Sequence, residues 1–332
     1  MTTMRTLVVI VVGFTVLSTP GASHRAAAQE PFPIRPLTVW VGFPPGGGVD
    51  IPTRALAEGA EKVLGQKVVV VNKPGATGAV ATAELVKARP DGYALLSNAD
   101  VPITRTPHLR DVDYDPFRDL TFLVRVGGYK LAWTVREDSP WKTWRDAVEW
   151  ARKNPGQLTL GHPGIGSTPH LTMTRIGARE GFTHRHVPFA GDAPAISALL
   201  GGHVTMIGAT SVSIAGHVRA KKMRVLLVNE REGLEYAPEA VTFDKAGYAD
   251  IEHGAALVVF GPKGLPRSVV ERLERSLVEA ARTEPFVSVA RRTELILGDL
   301  LVGQPLVEYL RKLSGGYEEL TKEAGAYKSE RK

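Results

Sequence analysis

Cysteine is absent from the 332 residues. That excludes disulfides, thiolate metal sites and a lipid attached through a cysteine. Long apolar runs are scarce as well. Leu7 to Leu17 comes nearest, and it is too short to span a bilayer, which takes about 20 residues. Neither sign of charge dominates: 41 Lys and Arg against 35 Asp and Glu leave a net +6, a balance that suits an anionic ligand and does not argue for nucleic acid. The basic run Arg219-Ala220-Lys221-Lys222-Met223-Arg224 has no aromatic interleaving and reads as the solvated end of a helix. P-loop, G-x-G-x-x-G, H-E-x-x-H and C-x-x-C signatures are missing, so nucleotide, zincin and thioredoxin-like chemistry lack their usual residues. No internal repeat or low-complexity segment interrupts the chain.

The first 28 residues read as an export signal: Arg5, the apolar run, then Ala26-Ala27-Ala28 as a small-residue cleavage site. The expected mature chain begins at Gln29 and is long enough for two domains with separate cores.

The informative stretch is Leu37 to Leu64. Leu37 to Phe43 is β-branched and aromatic, a strand. Pro44-Pro45-Gly46-Gly47-Gly48 breaks it. Asp50 is the expected N-cap of a helix with Pro52 in its first turn, and Leu56, Ala60, Val63 and Leu64 recur at helical spacing. Glycines between a strand and a helix start leave N–H groups uncovered beside the positive end of a helix dipole. Without a P-loop lysine, that points to a carboxylate rather than a nucleotide phosphate.

Strand, loop and helix alternate again. Val68 to Val71 is a strand, Asn72 to Gly78 a small-residue loop, Ala79 to Ala88 a helix, and Tyr93 to Leu96 a strand. Such alternation predicts a parallel sheet with helices on its faces, and ligands then sit along the carboxyl edge of the strands. Val101 to Phe122 turns polar and proline-rich. Leu131 to Val135 restarts a strand, and Ser139 to Asn154 a helix whose Trp141 and Trp144 read as core. Gly161 to His170 is a third glycine-rich loop, in which Ser167 and Thr168 can each cap the following helix or donate to a carboxylate. Further strands are expected at His184 to Phe189, Val204 to Ile207, Arg224 to Val228 and Ala255 to Phe260. Helices are expected at Ala193 to Leu200, Ser268 to Thr283, Pro285 to Thr293 and Pro305 to Ala324.

Catalysis finds little support. A Ser167, His170, Asp192 triad can be drawn, but Ser167 and His170 share one helical turn. His184 and His186 face the same side of a strand with no third ligand in view, so neither a metal nor a cofactor is expected.

Several blocks together resemble the Bug (Bordetella uptake gene) receptors, periplasmic solute-binding proteins of tripartite tricarboxylate transporters. They are Gly42 to Asp50 with Arg54, Asn72 to Gly78, Pro90 to Tyr93, Tyr114 to Pro116 with Asp119, Asn154 to Gly156, Gly164 to Leu171, His186 to Phe189 with Gly191, and Gly261 to Pro266. The resemblance implies an α/β, two-lobed type II periplasmic fold, each lobe a mainly parallel sheet flanked by helices. Lobe 1 is expected at 29–128 with 256–332, and lobe 2 at 129–255. It also implies a small-carboxylate ligand, permease subunits as partners, a monomer and no catalysis. A role docking on a sensor-kinase ectodomain is the alternative, and an exported hydrolase a third. Position by position, the expected site is Phe43, Pro44, Gly46, Gly47, Gly48 and Asp50, then Ala76, Thr77 and Gly78, then His162, Ser167, Thr168, Ala190 and Asp192. The family usually has a small hydroxyl residue where His162 stands and Tyr-Lys where Phe189-Ala190 stand. An acidic pair is usual where Thr205 and Ala209 stand. These departures favour an aromatic or other hydrophobic monocarboxylate over citrate.

Overall fold

A computed structural model describes residues 32–251 and 254–323; the expected export signal lies outside them. Among these residues eleven strands form two sheets. Strands β1 (Leu37–Val41), β2 (Val68–Asn72), β3 (Ala94–Ala99) and β4 (Leu120–Gly128) belong to the first. Strands β5 (Leu131–Arg136), β6 (Leu158–His162), β7 (His184–Pro188), β8 (Met206–Thr210), β9 (Met223–Val228) and β10 (Val241–Thr242) form the second. The chain then returns to the first sheet with β11 (Ala256–Pro262). The orders are β2-β1-β3-β11-β4 and β10-β9-β5-β8-β6-β7.

One strand in each sheet runs against the rest. β11 is antiparallel to both its neighbours, β3 and β4, and β5 is antiparallel to β8 and β9. The remaining pairings are parallel. The reversed strands are the two that follow a change of sheet, between Gly128 and Leu131 and between Thr242 and Ala256.

Central strands carry continuous apolar runs because helices cover both faces. β11 is buried along its whole length, and β5 from Leu131 to Val135. Helices Asp50–Leu64, Arg267–Ala280 and Glu284–Thr293 share a core with β1, through Leu56, Ala60, Leu273, Leu277 and Phe286. Helix Gly303–Glu323 buries Leu306 and Leu310 against Leu96, Phe122 and Phe260. Trp141 and Trp144 are core residues as expected, Trp144 Nε1 donating to the Tyr248 hydroxyl. Their helix starts later than expected, at Trp144, because Thr143 and Asp146 form a reciprocal capping box there.

Two expectations need correcting. The proline-rich stretch contains three one-turn helices (Val101–Thr104, Thr106–Leu109, Pro116–Asp119) and runs directly into β4, a strand that the sequence reading did not assign. Asp50 is the first residue of its helix rather than the N-cap, and its carboxylate accepts from Gly46 N–H (2.9 Å), Arg54 and Asn72. It braces the glycine loop instead of capping the helix.

Candidate functional site

Loops leaving the carboxyl ends of β1, β3, β6 and β8 converge on one cavity of about 530 Å³, its open mouth included. The first sheet contributes Phe43, Pro44, Gly47, Gly48 and Val49 after β1, Thr77 after β2, and Ala99 to Val101 with Arg105 after β3. The second contributes Pro163 and Ser167 to Pro169 after β6, Asp192 after β7 and Thr210 at the end of β8. Tyr129, Leu131 and Ala255, at the two changes of sheet, complete the lining.

Four helices of nine to fifteen residues begin at this cavity: Asp50–Leu64, Thr168–Glu180, Asp192–Leu200 and Ser211–Arg219. Each presents first-turn N–H groups that have no acceptor within the helix, and each adds a positive dipole end. Most of the remaining wall is apolar, so that field acts in a poorly screened space.

Polar atoms in the wall divide into paired and unpaired. Arg105, 1 % exposed, donates to Asp100 Oδ2 at 2.6 Å, to Thr168 Oγ1 at 3.1 Å and to Gly254 O, and lies 3.9 Å over the Tyr317 ring. Its charge is compensated by Asp100, so it makes a structural tie across the cavity floor. Thr168 also meets the Tyr317 hydroxyl at 3.0 Å. Asp192 Oδ2 accepts from Ser213 Oγ at 2.6 Å, Thr210 Oγ1 at 2.7 Å and Thr210 N–H. Burial raises the Asp192 pKa against these donors and the Gly48 N–H, which favour the charged form. By contrast Ser167 Oγ, Tyr129 Oη, Asp192 Oδ1 and Arg105 Nε are buried without a partner. Four orphaned polar atoms around one cavity carry a desolvation cost that a polar ligand would relieve. Burial drives the Tyr129 pKa well up, so its hydroxyl remains a donor.

The two sheets' loops touch across the cavity. Thr77 Oγ1 donates to Ile165 O at 3.0 Å, from a backbone at φ +58°. Gly48 lies so close to Thr210 that a Cβ there would stand 2.2 Å from its hydroxyl.

Of the expected site residues, Phe43, Pro44, Gly47, Gly48, Thr77, Ser167, Thr168 and Asp192 line the cavity. Gly46, Ala76 and Ala190 are exposed outside the lining, and Gly78 backs onto Asn98. His162 is fully buried but turned away from the cavity: Nδ1 bonds Gly164 O at 2.9 Å, and the ring packs against His170 and His186. Between Ser167 and Thr168 the roles separate, since Thr168 is tied to Arg105 and Tyr317 while the Ser167 hydroxyl caps nothing. The drawn triad does not assemble. Ser167 Oγ lacks a partner, His170 Nδ1 accepts from Gly166 N–H, and the bonded Asp192 oxygen is held by Ser213 and Thr210. Sequence reasoning missed Asp100, Arg105, Tyr129 and Thr210. The one available signal was a lone arginine in the apolar segment Val101 to Thr106.

Two mixed sheets joined by two crossings, with a cavity where their strand ends meet, make the two-lobed fold of periplasmic solute-binding proteins. A family model described as the tripartite tricarboxylate transporter family receptor matches residues 53–295, and the chain belongs to that family. It is 35% identical over 260 residues to the UPF0065 protein in the gbd 5′ region of Cupriavidus necator, covering 78% of this chain and 79% of that one. Among solved structures, the periplasmic binding protein BugD is 28% identical with a TM-score of 0.84, covering 89% of this chain and 99% of its own. Rpa4515 of R. palustris, solved with adipate, is 25% identical with a TM-score of 0.82 and the same coverage.

Proposed function

We propose that this protein is exported to the periplasm, captures a small organic carboxylate between its lobes, and delivers it to the membrane permease of a tripartite transporter. The lobes in this reading are 29–128 with 256–332, and 129–255, and the receptor acts as a monomer without catalysis. One observation carries it: four helix starts and four orphaned polar atoms surround a cavity with otherwise apolar walls. A carboxylate answers the N–H groups and the Ser167 and Tyr129 hydroxyls. A hydrocarbon or aromatic body answers Phe43, Val101, Leu131, Pro163 and Pro169. Adipate bound to a relative, two carboxylates on an apolar chain, fits the same chemistry. The hydrophobic preference rests on this wall and not on His162, which faces elsewhere.

A thermal-shift screen tests it with benzoate, phenylacetate, adipate, malate and citrate. A ligand at about 100 times its dissociation constant adds about 2.7 kcal/mol to the folded state. Stabilisation by the monocarboxylates or adipate, reduced in Ser167→Ala and Tyr129→Phe, is the expected result. Stabilisation by citrate in preference to all others refutes the apolar-body assignment, and no shift with any carboxylate refutes the function.

A further inference from the structure

Four imidazoles lie together beside the cavity without entering it. The parallel register of β6 and β7 pairs Leu160 with His186 and brings His162, at the end of β6, onto the same face. Helix Thr168–Glu180 covers that face and adds His170, whose ring centroid is 4.9 Å from that of His162 and 4.4 Å from that of His186. His184 follows, 4.3 Å beyond His186. One nitrogen from each of His162, His170 and His186 lies within 4.8 Å of the other two.

We infer that His162, His170 and His186 form a binding site for a divalent first-row transition-metal ion of the zinc class. Hydrogen bonding orients the lone pairs. His162 Nδ1 bonds the Gly164 carbonyl and so carries the proton, which leaves Nε2 as a lone pair, buried and without a partner. Thr174 Oγ1 donates to His170 O and therefore accepts from His186 Nε2 at 3.1 Å, which leaves His186 Nδ1 as a second buried, unpartnered lone pair. Backbone or hydroxyl acceptors on the far ring nitrogen are the usual outer partners of metal-binding histidines. His170 Nδ1 is held by the Gly166 N–H at 3.3 Å, a long bond with which a metal ion competes.

Ligands of a tetrahedral ion stand about 3.3 Å apart, so modest side-chain rotation closes the site. His170 and His186 are only half-buried, which leaves a route in from solvent. Imidazole-only coordination favours zinc, nickel or copper over calcium or magnesium, which require oxygen. The segment between the ligands His162 and His170 contains Pro163, Ser167, Thr168 and Pro169 of the cavity wall. A bound ion would therefore clamp both ends of that segment.

Tag-free mature protein, stripped with chelator, is titrated calorimetrically with ZnCl2 and NiCl2, with MgCl2 and CaCl2 as controls. One equivalent of zinc and of nickel is expected to bind, and neither hard cation. His186→Ala and His170→Ala should each weaken zinc by at least about 100-fold, the upper range for disturbing an outer partner alone. His203→Ala, elsewhere on the surface, should bind as wild type. CoCl2 added to wild type gives a readout independent of variant folding, expected as the intense visible bands of a low-coordinate imidazole site. Absence of stoichiometric zinc binding, equal affinity in His186→Ala and wild type, or only the faint spectrum of hydrated cobalt overturns the inference.

Discussion

Replacing Gly48 by alanine tests whether the two lobes must meet for ligand to be held. Gly48 does not adopt a positive φ, so its backbone accepts alanine. The obstacle is across the cavity: the new Cβ would stand 2.2 Å from Thr210 Oγ1 and 3.0 Å from Thr210 Cβ and Cγ2. The hydroxyl cannot swing aside freely, because it donates to Asp192 Oδ2 at 2.7 Å and lies against Ser213 Oγ at 2.8 Å. Relieving the contact requires roughly an ångström of separation between the loops. Forcing an extra methyl group into a tight contact costs about 1–3 kcal/mol. At about 1.4 kcal/mol per tenfold, carboxylate affinity should fall about fivefold to 100-fold. On the proposed reading that the lobes part when no ligand is held, the cost falls on the closed form, and the melting temperature of the ligand-free protein should change little. The assay is calorimetric titration of whichever carboxylate the thermal screen selects, beside ligand-free melting curves. The double variant with Thr210→Ala, which removes Oγ1 and Cγ2, should bind better than the two single effects predict, a coupling read from the double-mutant cycle. Unchanged affinity in Gly48→Ala, or a ligand-free melting temperature that falls as far as the affinity does, would refute the reasoning.

Two further perturbations follow from the buried charges. Arg105→Met leaves Asp100 buried without its cation and should cost about 3–5 kcal/mol in urea unfolding; a loss below about 1 kcal/mol would show that the pair is not the tie described. Asp192 has its pKa raised by burial, so the folded state holds its proton to a higher pH than the unfolded chain does. Its contribution to stability is then greatest in acid and is lost as pH rises through the folded pKa. The melting temperature of wild type relative to Asp192→Asn should increase as pH falls from 7 toward 4, and a difference independent of pH contradicts the raised pKa.

What could be read in the sequence was what local chemistry dictates. The β1 run and the Pro44 to Gly48 break announce a strand end and an open helix start, and both stand at the cavity. Ser167 was legible as the start of a helix, whereas Asp192 came from the family resemblance alone. β4 was missed although Leu120 to Val126 is locally an apolar, β-branched run; what no local signal marks is its pairing with β11, more than a hundred residues later. Arg105 was hidden because its acid, its aromatic platform and its hydroxyl partner come from β3's end, helix Gly303–Glu323 and the β6 loop, which only tertiary folding assembles. His162 was assigned to the cavity because the resembled family has a small hydroxyl residue there, but its ring is turned away, bonded to Gly164 O and packed against His170 and His186. Strand alternation, with the β6–β7 register, supplies the companions that His184 and His186 lack in the sequence.

Tyr129, Leu131 and Ala255 sit where the chain passes between sheets, and they also line the cavity. This double placement divides the wall into two kinds of position with different evolutionary freedom. A substitution in the loops at 43–49 or 163–169, or at Asp192, alters what the wall accepts and leaves the crossings between sheets alone. A substitution at 129, 131 or 255 alters acceptance and the packing of a crossing in one stroke, so an improvement in one is tied to a change in the other. Divergence toward new carboxylates should accumulate in the loops, while the crossings change rarely and in concert.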